Sequence, residues 1–169
     1  MSDRVPATLT IAPWDEDQLK QSEDGRELLS LIESWGFHEY NTYPLNPNPG
    51  DVVSVELVDY EANYGTYAFS QDEQLMGLLK RLNLWRSLSD SGSVEWGPSR
   101  TIYTPDGKEY TFDTLVDGST MMPQTTYQQL WDKGGQAAIE EYWRLGNLSY
   151  NLVSFMEYYQ ELKSSSSME

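Results

Sequence analysis

The pattern of this chain predicts an α+β fold: a single domain over residues 1–163, with a short antiparallel sheet of hairpins packed with about four helices, the last two a C-terminal pair. Three observations carry that expectation. Runs of alternating polarity and runs with apolar residues at i, i+3, i+4 occur in mixed rather than strictly alternating order. Pro105-Asp106-Gly107 is a strong turn between two alternating segments. Leu148, Leu152, Phe155, Tyr159 and Leu162 recur at steps of 4, 3, 4 and 3, a seam that calls for another helix.

Along the chain, residues 7–12 alternate as a half-buried strand does, and Pro13 ends it. Asp15-Glu16-Asp17 places acids at the positive end of a helix that runs to Trp35, with Gly25 as a point where it splits. Leu28, Leu31, Ile32 and Trp35 form its apolar stripe, and Gly36 is a natural C-cap. Pro44, Pro47, Pro49 and Gly50 among three Asn make 41–50 a loop. A strand over 51–60 follows, with Val53, Val55 and Leu57 on one face and Ser54, Glu56 and Tyr60 on the other; residues 64–69 are read as its hairpin partner. Ser70 and Glu73 fit a capping box. The helix they start carries Leu75, Leu78, Leu79 and Leu82 and extends to about residue 88, with a loop over 89–92. Val94–Trp96, Arg100–Tyr103 and Lys108–Leu115 read as strands. The first closing helix starts near Pro123 and is kinked or divided at Gly134-Gly135; the second starts after Gly146-Asn147, and Ser164–Glu169 is a disordered tail.

Composition narrows the function classes. The chain has 169 residues, 27 Asp+Glu against 11 Lys+Arg, a formal net charge of −16 and no cysteine. Disulfides, thiolate catalysis and cysteine–metal sites are therefore excluded. Six Trp, twelve Tyr and four Phe set it apart from disordered acidic chains, which are poor in aromatics. The N-terminus lacks a signal-peptide pattern and no apolar run reaches a membrane-span length, so a cytoplasmic protein is expected. Its charge repels nucleic acid and anionic membranes and attracts basic proteins or cations.

No motif names a reaction. His38 stands alone in Phe37-His38-Glu39-Tyr40 with no neighbouring nucleophile, and is read as a surface or structural residue. No Gly-x-Ser-x-Gly elbow, phosphate-binding glycine loop or calcium loop occurs. Neither a cofactor, a metal nor a catalytic residue is expected. Paired carboxylates and aromatics leave open a small-molecule or carbohydrate cleft, as a binding module or an enzyme. The C-terminal seam leaves open a structural subunit of a larger assembly.

The most distinctive feature is a window of 53 residues between Arg26 and Lys80 with no base and nine carboxylates. Residues 1–73 hold 15 acids against three bases, while residues 74–169 hold 12 against eight. Strand neighbours on one face lie about 6.7 Å apart and helix neighbours about 6 Å apart, so carboxylates on either can mimic a phosphate array. The leading expectation is a non-enzymatic inhibitor that occludes the basic nucleic-acid-binding surface of a partner, a DNA mimic in kind. Phage anti-restriction and anti-CRISPR proteins and toxin-immunity proteins share this short, acidic, cysteine-poor profile, a resemblance of composition alone. The expected contact residues are Glu33, Glu39, Asp51, Glu56, Asp59, Glu61, Asp72 and Glu73, with Tyr60 and Tyr64 as aromatic anchors.

Overall fold

The computed structural model describes residues 4–63, 69, 71–93 and 96–167. The strands are β1 (Arg4–Ala12), β2 (Glu39–Tyr43), β3 (Ser54–Asn63), β4 (Trp85–Asp90), β5 (Ser99–Tyr103) and β6 (Glu109–Asp113). The helices are α1 (Glu16–Leu19), α2 (Glu23–Trp35), α3 (Glu73–Arg81), α4 (Gln124–Leu148) and α5 (Leu152–Ser167). The strands form one antiparallel sheet in the order β2-β3-β1-β4-β5-β6. The α+β class and the C-terminal helical pair are thus as the sequence predicts. No helix among the described residues is long and apolar enough to cross a membrane.

Strand alternation assigns the two faces. Ala7, Leu9 and Ile11 of β1 stand in register with Leu57 and Val55 of β3 and Leu88 of β4. With Leu19, Leu28, Ile32, Leu75, Leu78 and Leu79 from α1, α2 and α3 they make one apolar core. On the opposite face Ala12, Trp85, Ile102 and Phe112 pack against Leu152, Phe155, Met156 and Tyr159 of α5, with Tyr142 and Leu145 of α4 alongside. That second core covers the β4-β5-β6 side. The same face of β2, β3 and the start of β1 presents Glu39, Asn41, Tyr43, Ser54, Glu56, Tyr60, Thr8 and Thr10, and none of these belongs to either core.

Several boundaries differ from the sequence reading. β1 begins earlier, at Arg4; its register against β3 shifts between Val5 and Ala7, and this bulge accommodates Pro6, which has no N–H to give a ladder. The first helical region breaks at residues 20–22, not at Gly25: Asp15 caps α1 and Ser22 caps α2. Gly25 is required because a Cβ there would lie 2.0 Å from the Leu19 carbonyl oxygen. Residues 41–43 are strand rather than loop, since Glu39–Tyr43 pairs with β3. The cap of α3 is Asp72, whose carboxylate accepts the Leu75 N–H at 2.8 Å, in place of the expected Ser70 box. Ser70 and residues 64–68 of the expected hairpin lie outside the described residues. α3 stops at Arg81, well short of residue 88. Asn83 takes φ 57, its N–H bonds the Lys80 carbonyl, and the Leu84 N–H bonds the Leu79 carbonyl, a Schellman ending. Trp85–Asp90 is then free to pair with β1 as a strand.

The closing helices also differ. Gly135 (φ 63) divides α4 as expected, but α4 continues through Gly146-Asn147 to Leu148. Gly146 is there for close approach, since a Cβ on it would sit 2.5 Å from Thr120 Cγ2. The seam of Leu152, Phe155 and Tyr159 faces Trp85, Ile102 and Tyr110 of the sheet rather than chiefly another helix. Residues 164–167, expected as disordered tail, continue α5. An established helix adds each further residue at little cost, and serine is only modestly unfavourable.

Gly25→Ala is expected to destabilise the protein by about 1–3 kcal/mol, because the α1–α2 contact must open to admit the methyl group. Gly97→Ala, where a Cβ meets nothing within 4 Å, is expected within about 0.5 kcal/mol of wild type. Urea denaturation of both variants checks the contrast; equal midpoints would refute the packing role of Gly25.

Candidate functional site

The sheet register decides which acids meet. Glu39 stands opposite Val58, and Glu56 and Tyr60 lie two residues to either side of Val58 on β3. The three therefore share the open face, with Glu56 and Tyr60 each a diagonal neighbour of Glu39 at about 7–8 Å at the backbone. The Glu39 carboxylate beside it raises the pKa of the Tyr60 hydroxyl. Burial, and then the nearby Glu39 charge, raise the pKa of Glu56. Neither Glu39 nor Glu56 has a salt-bridge partner among the described residues.

The other expected contact residues are dispersed. Asp59 points to the helix-covered face, where its Oδ1 lies 3.3 Å from His38 Nδ1. That nitrogen accepts the Tyr60 backbone N–H at 3.1 Å, so its lone pair is used and the Asp59 carboxylate is not its proton acceptor. Glu61 is at the end of β3 and approaches Arg4 at 3.9 Å, both exposed. Asp51 lies in the loop before β3 and accepts the Asn48 N–H at 2.8 Å. Asp72 is consumed by capping α3, and Glu73 sits exposed in the first turn of that helix. Glu33 is exposed in the last turn of α2, across the sheet from Glu39 and Glu56, at the negative end of a helix with no basic residue there. Tyr64 lies outside the described residues. The fold thus unites Glu39, Glu56 and Tyr60 and separates Glu33, Asp51, Asp59, Glu61, Asp72 and Glu73 from them.

Where α5 begins, the open face becomes concave. A cavity of about 520 Å³ is floored by Thr8 and Thr10 of β1, Ser54 and Glu56 of β3, and Ser87 and Ser89 of β4. Its wall is the α4–α5 corner, with Ser149, Tyr150 and Asn151, and the 116–118 loop. Arg100 of β5 lines it and is only 7% exposed. The Arg100 guanidinium donates to Ser149 Oγ at 3.1 Å and to the Gly118 carbonyl at 2.8 Å, and it lies 4.7 Å from the Tyr150 ring centroid. Burial lowers its pKa, with the Tyr150 hydroxyl opposing. It forms no ion pair among the described residues.

Sequence reasoning missed this cavity. The alternating Thr8-x-Thr10 was visible, but Ser87 and Ser89 fell in and just beyond a stretch read as helix, so their shared face was not. Arg100 shows no signal in sequence beyond being a base inside a strand. Tyr40 is half-exposed; its hydroxyl accepts the Trp14 indole N–H at 3.0 Å and lies 3.3 Å from Glu16.

No known family model, curated protein or solved structure matches the chain.

Ionising Glu56 costs more in the folded chain than in the unfolded one, so its charge destabilises at neutral pH and ceases to matter once the residue is protonated in both states. Glu56→Gln is expected to stabilise at pH 7 by less than about 1 kcal/mol, since the side chain is partly exposed and screened. The gain is expected to disappear below about pH 4 and to shrink in added salt. Thermal melts across pH check this; an equal gain at pH 3 and pH 7 would rule out the Glu56 charge as its cause.

Proposed function

We propose that the protein is a non-enzymatic binding protein that engages a basic surface of a partner, the nucleic-acid-binding groove of an enzyme or complex, through the open face of β2 and β3. The observation that supports this reading most is the Glu39–Glu56 pair: two carboxylates held as neighbours on an uncovered sheet face with no base beside them. Their repulsion is relieved by an arginine or lysine from outside. Tyr60 and Tyr43, each close to half-exposed on the same face, supply the aromatic area that anchors such contacts. The remaining acids of residues 1–73 act at longer range, speeding encounter rather than fixing register.

A second reading, a cleft for a small polar molecule or sugar, is favoured by the hydroxyl-lined cavity that shares Glu56 and Tyr43 with the acidic face.

Capture from host lysate at low and high salt, with duplex DNA as competitor, tests the first reading. Wild type is expected to retain a basic partner that elutes with salt and is displaced by DNA. Glu39→Lys with Glu56→Lys is expected to lose it. Glu33→Lys with Glu73→Lys, the same charge change away from the open face, is expected to keep most of the capture. Equal losses from the two pairs, or no loss from either, would sink the assignment to this face.

A further inference from the structure

Two guanidiniums are buried without a salt bridge among the described residues, Arg86 and Arg100; Arg86 is closed over by the Phe69 carbonyl and the Tyr103 ring, whereas Arg100 lines a cavity. Arg100 is 7% exposed, and its direct partners are a serine hydroxyl, a backbone carbonyl and a tyrosine ring, all neutral. Removing an arginine from water without a counter-ion is costly, so such groups ordinarily pair with an acid or face a site that supplies one. Arg100 lines a cavity of about 520 Å³, within the size range of small-ligand sites.

The rest of that cavity narrows the ligand. Thr8 and Ser89 stand in register, as do Thr10 and Ser87, so adjacent strands carry two ranks of hydroxyls across the floor. Hydroxyls both donate and accept, which suits a molecule rich in hydroxyls itself. Ser54 and Glu56 close the far side. Glu56 is three strand steps and two residues of register from Arg100, about 16 Å at the backbone before the side chains reach inward. The cavity also borders Asp90 and Asp117, but their carboxylates are engaged by donors of their own chain. Asp90 accepts from the Trp96 indole and the Gly92 N–H, and Asp117 from the Ser119 N–H. The net charge of −16 does not forbid an anion here, because distant exposed charges are screened within about 8 Å at physiological salt while Arg100 acts at contact distance.

We propose that this cavity binds a small polyhydroxylated anion, a sugar phosphate or a sugar acid, with its oxyanion on Arg100 and its hydroxyls on the Thr8–Ser89 and Thr10–Ser87 ranks. The inference rests on the second reading above, a small-molecule cleft.

Titration of the full chain with glucose 6-phosphate, glucuronate, glucose and inorganic phosphate tests it, followed by calorimetry and amide chemical shifts. At least one anionic sugar is expected to saturate, with shifts centred on Thr10, Ser89, Gly118 and Asn151. Glucose and inorganic phosphate are each expected to bind at least about tenfold more weakly. The tighter of the two anionic sugars identifies phosphate or carboxylate as the group held. Arg100→Met is expected to erase the preference over glucose. Because Arg100 also ties the α4–α5 corner, Thr10→Val with Ser89→Ala serves as the second variant; it is expected to weaken the anionic sugar several-fold with an unchanged melting temperature. Glucose binding as tightly as its phosphate would overturn the role of Arg100 and leave the cleft reading standing. Inorganic phosphate binding as tightly as glucose 6-phosphate would overturn the sugar assignment. No saturable binding of any sugar would overturn both the inference and the cleft reading.

Discussion

The structure depends on one half-covered sheet. β1 sits at its centre, bonded to β3 on one side and β4 on the other, so the sequence-distant halves of the chain meet on a single strand. α2 and α3 close one face over β1, β3 and β4. On the other face α4 and α5 reach only the β4-β5-β6 side. A sheet face left in water must carry polar residues, and β2, β3 and the start of β1 do: Glu39, Asn41, Glu56, Thr8 and Thr10 alternate with the buried Leu57, Leu9 and Ile11. The acidic pair and the hydroxyl-lined cavity are two parts of that one uncovered surface, the first at its edge and the second where α5 begins.

Charge in this molecule works at two ranges. Several carboxylates of the base-free window have local tasks: Asp72 caps a helix, Asp51 closes a loop on Asn48, and Asp59 accepts the Glu61 N–H. They add to the field but cannot all meet one partner. Glu39 and Glu56 are cross-strand neighbours, and burial first, then the Glu39 charge, raise the pKa of Glu56. The opposite extreme is Arg100, a cation removed from water and ringed by neutral groups. Net charge describes neither site, because contact electrostatics depends on the few groups within a screening length.

Where local chemistry dominates, the sequence was legible. Leu75, Leu78 and Leu79 mark α3, Gly36 ends α2 in a left-handed cap, and Pro105-Asp106-Gly107 turns β5 into β6. Errors arose where a tertiary contact overruled a local preference. Gly25 reads as a helix breaker yet lies inside α2, because the Leu19 carbonyl leaves no room for a side chain. Trp85–Leu88 follows a strong helical stripe yet forms a strand, because Asn83 ends the helix and β1 offers an unpaired edge. The C-terminal seam has helical spacing, and only the sheet could say that its partners are Trp85 and Tyr110.

The sequence by itself determined the α+β class, the identity of most core residues, the excess of acid in the first half and the absence of thiol chemistry. These are properties of composition and of short-range period, which survive any rearrangement of the elements. The tertiary structure alone decided that Glu39 meets Glu56 while Glu33 and Asp59 face elsewhere, and that Thr10, Ser87 and Arg100 border one cavity. The reason is the two-residue period of a strand. One step of register moves a side chain to the other face, and that register is set by pairing between segments far apart in the chain.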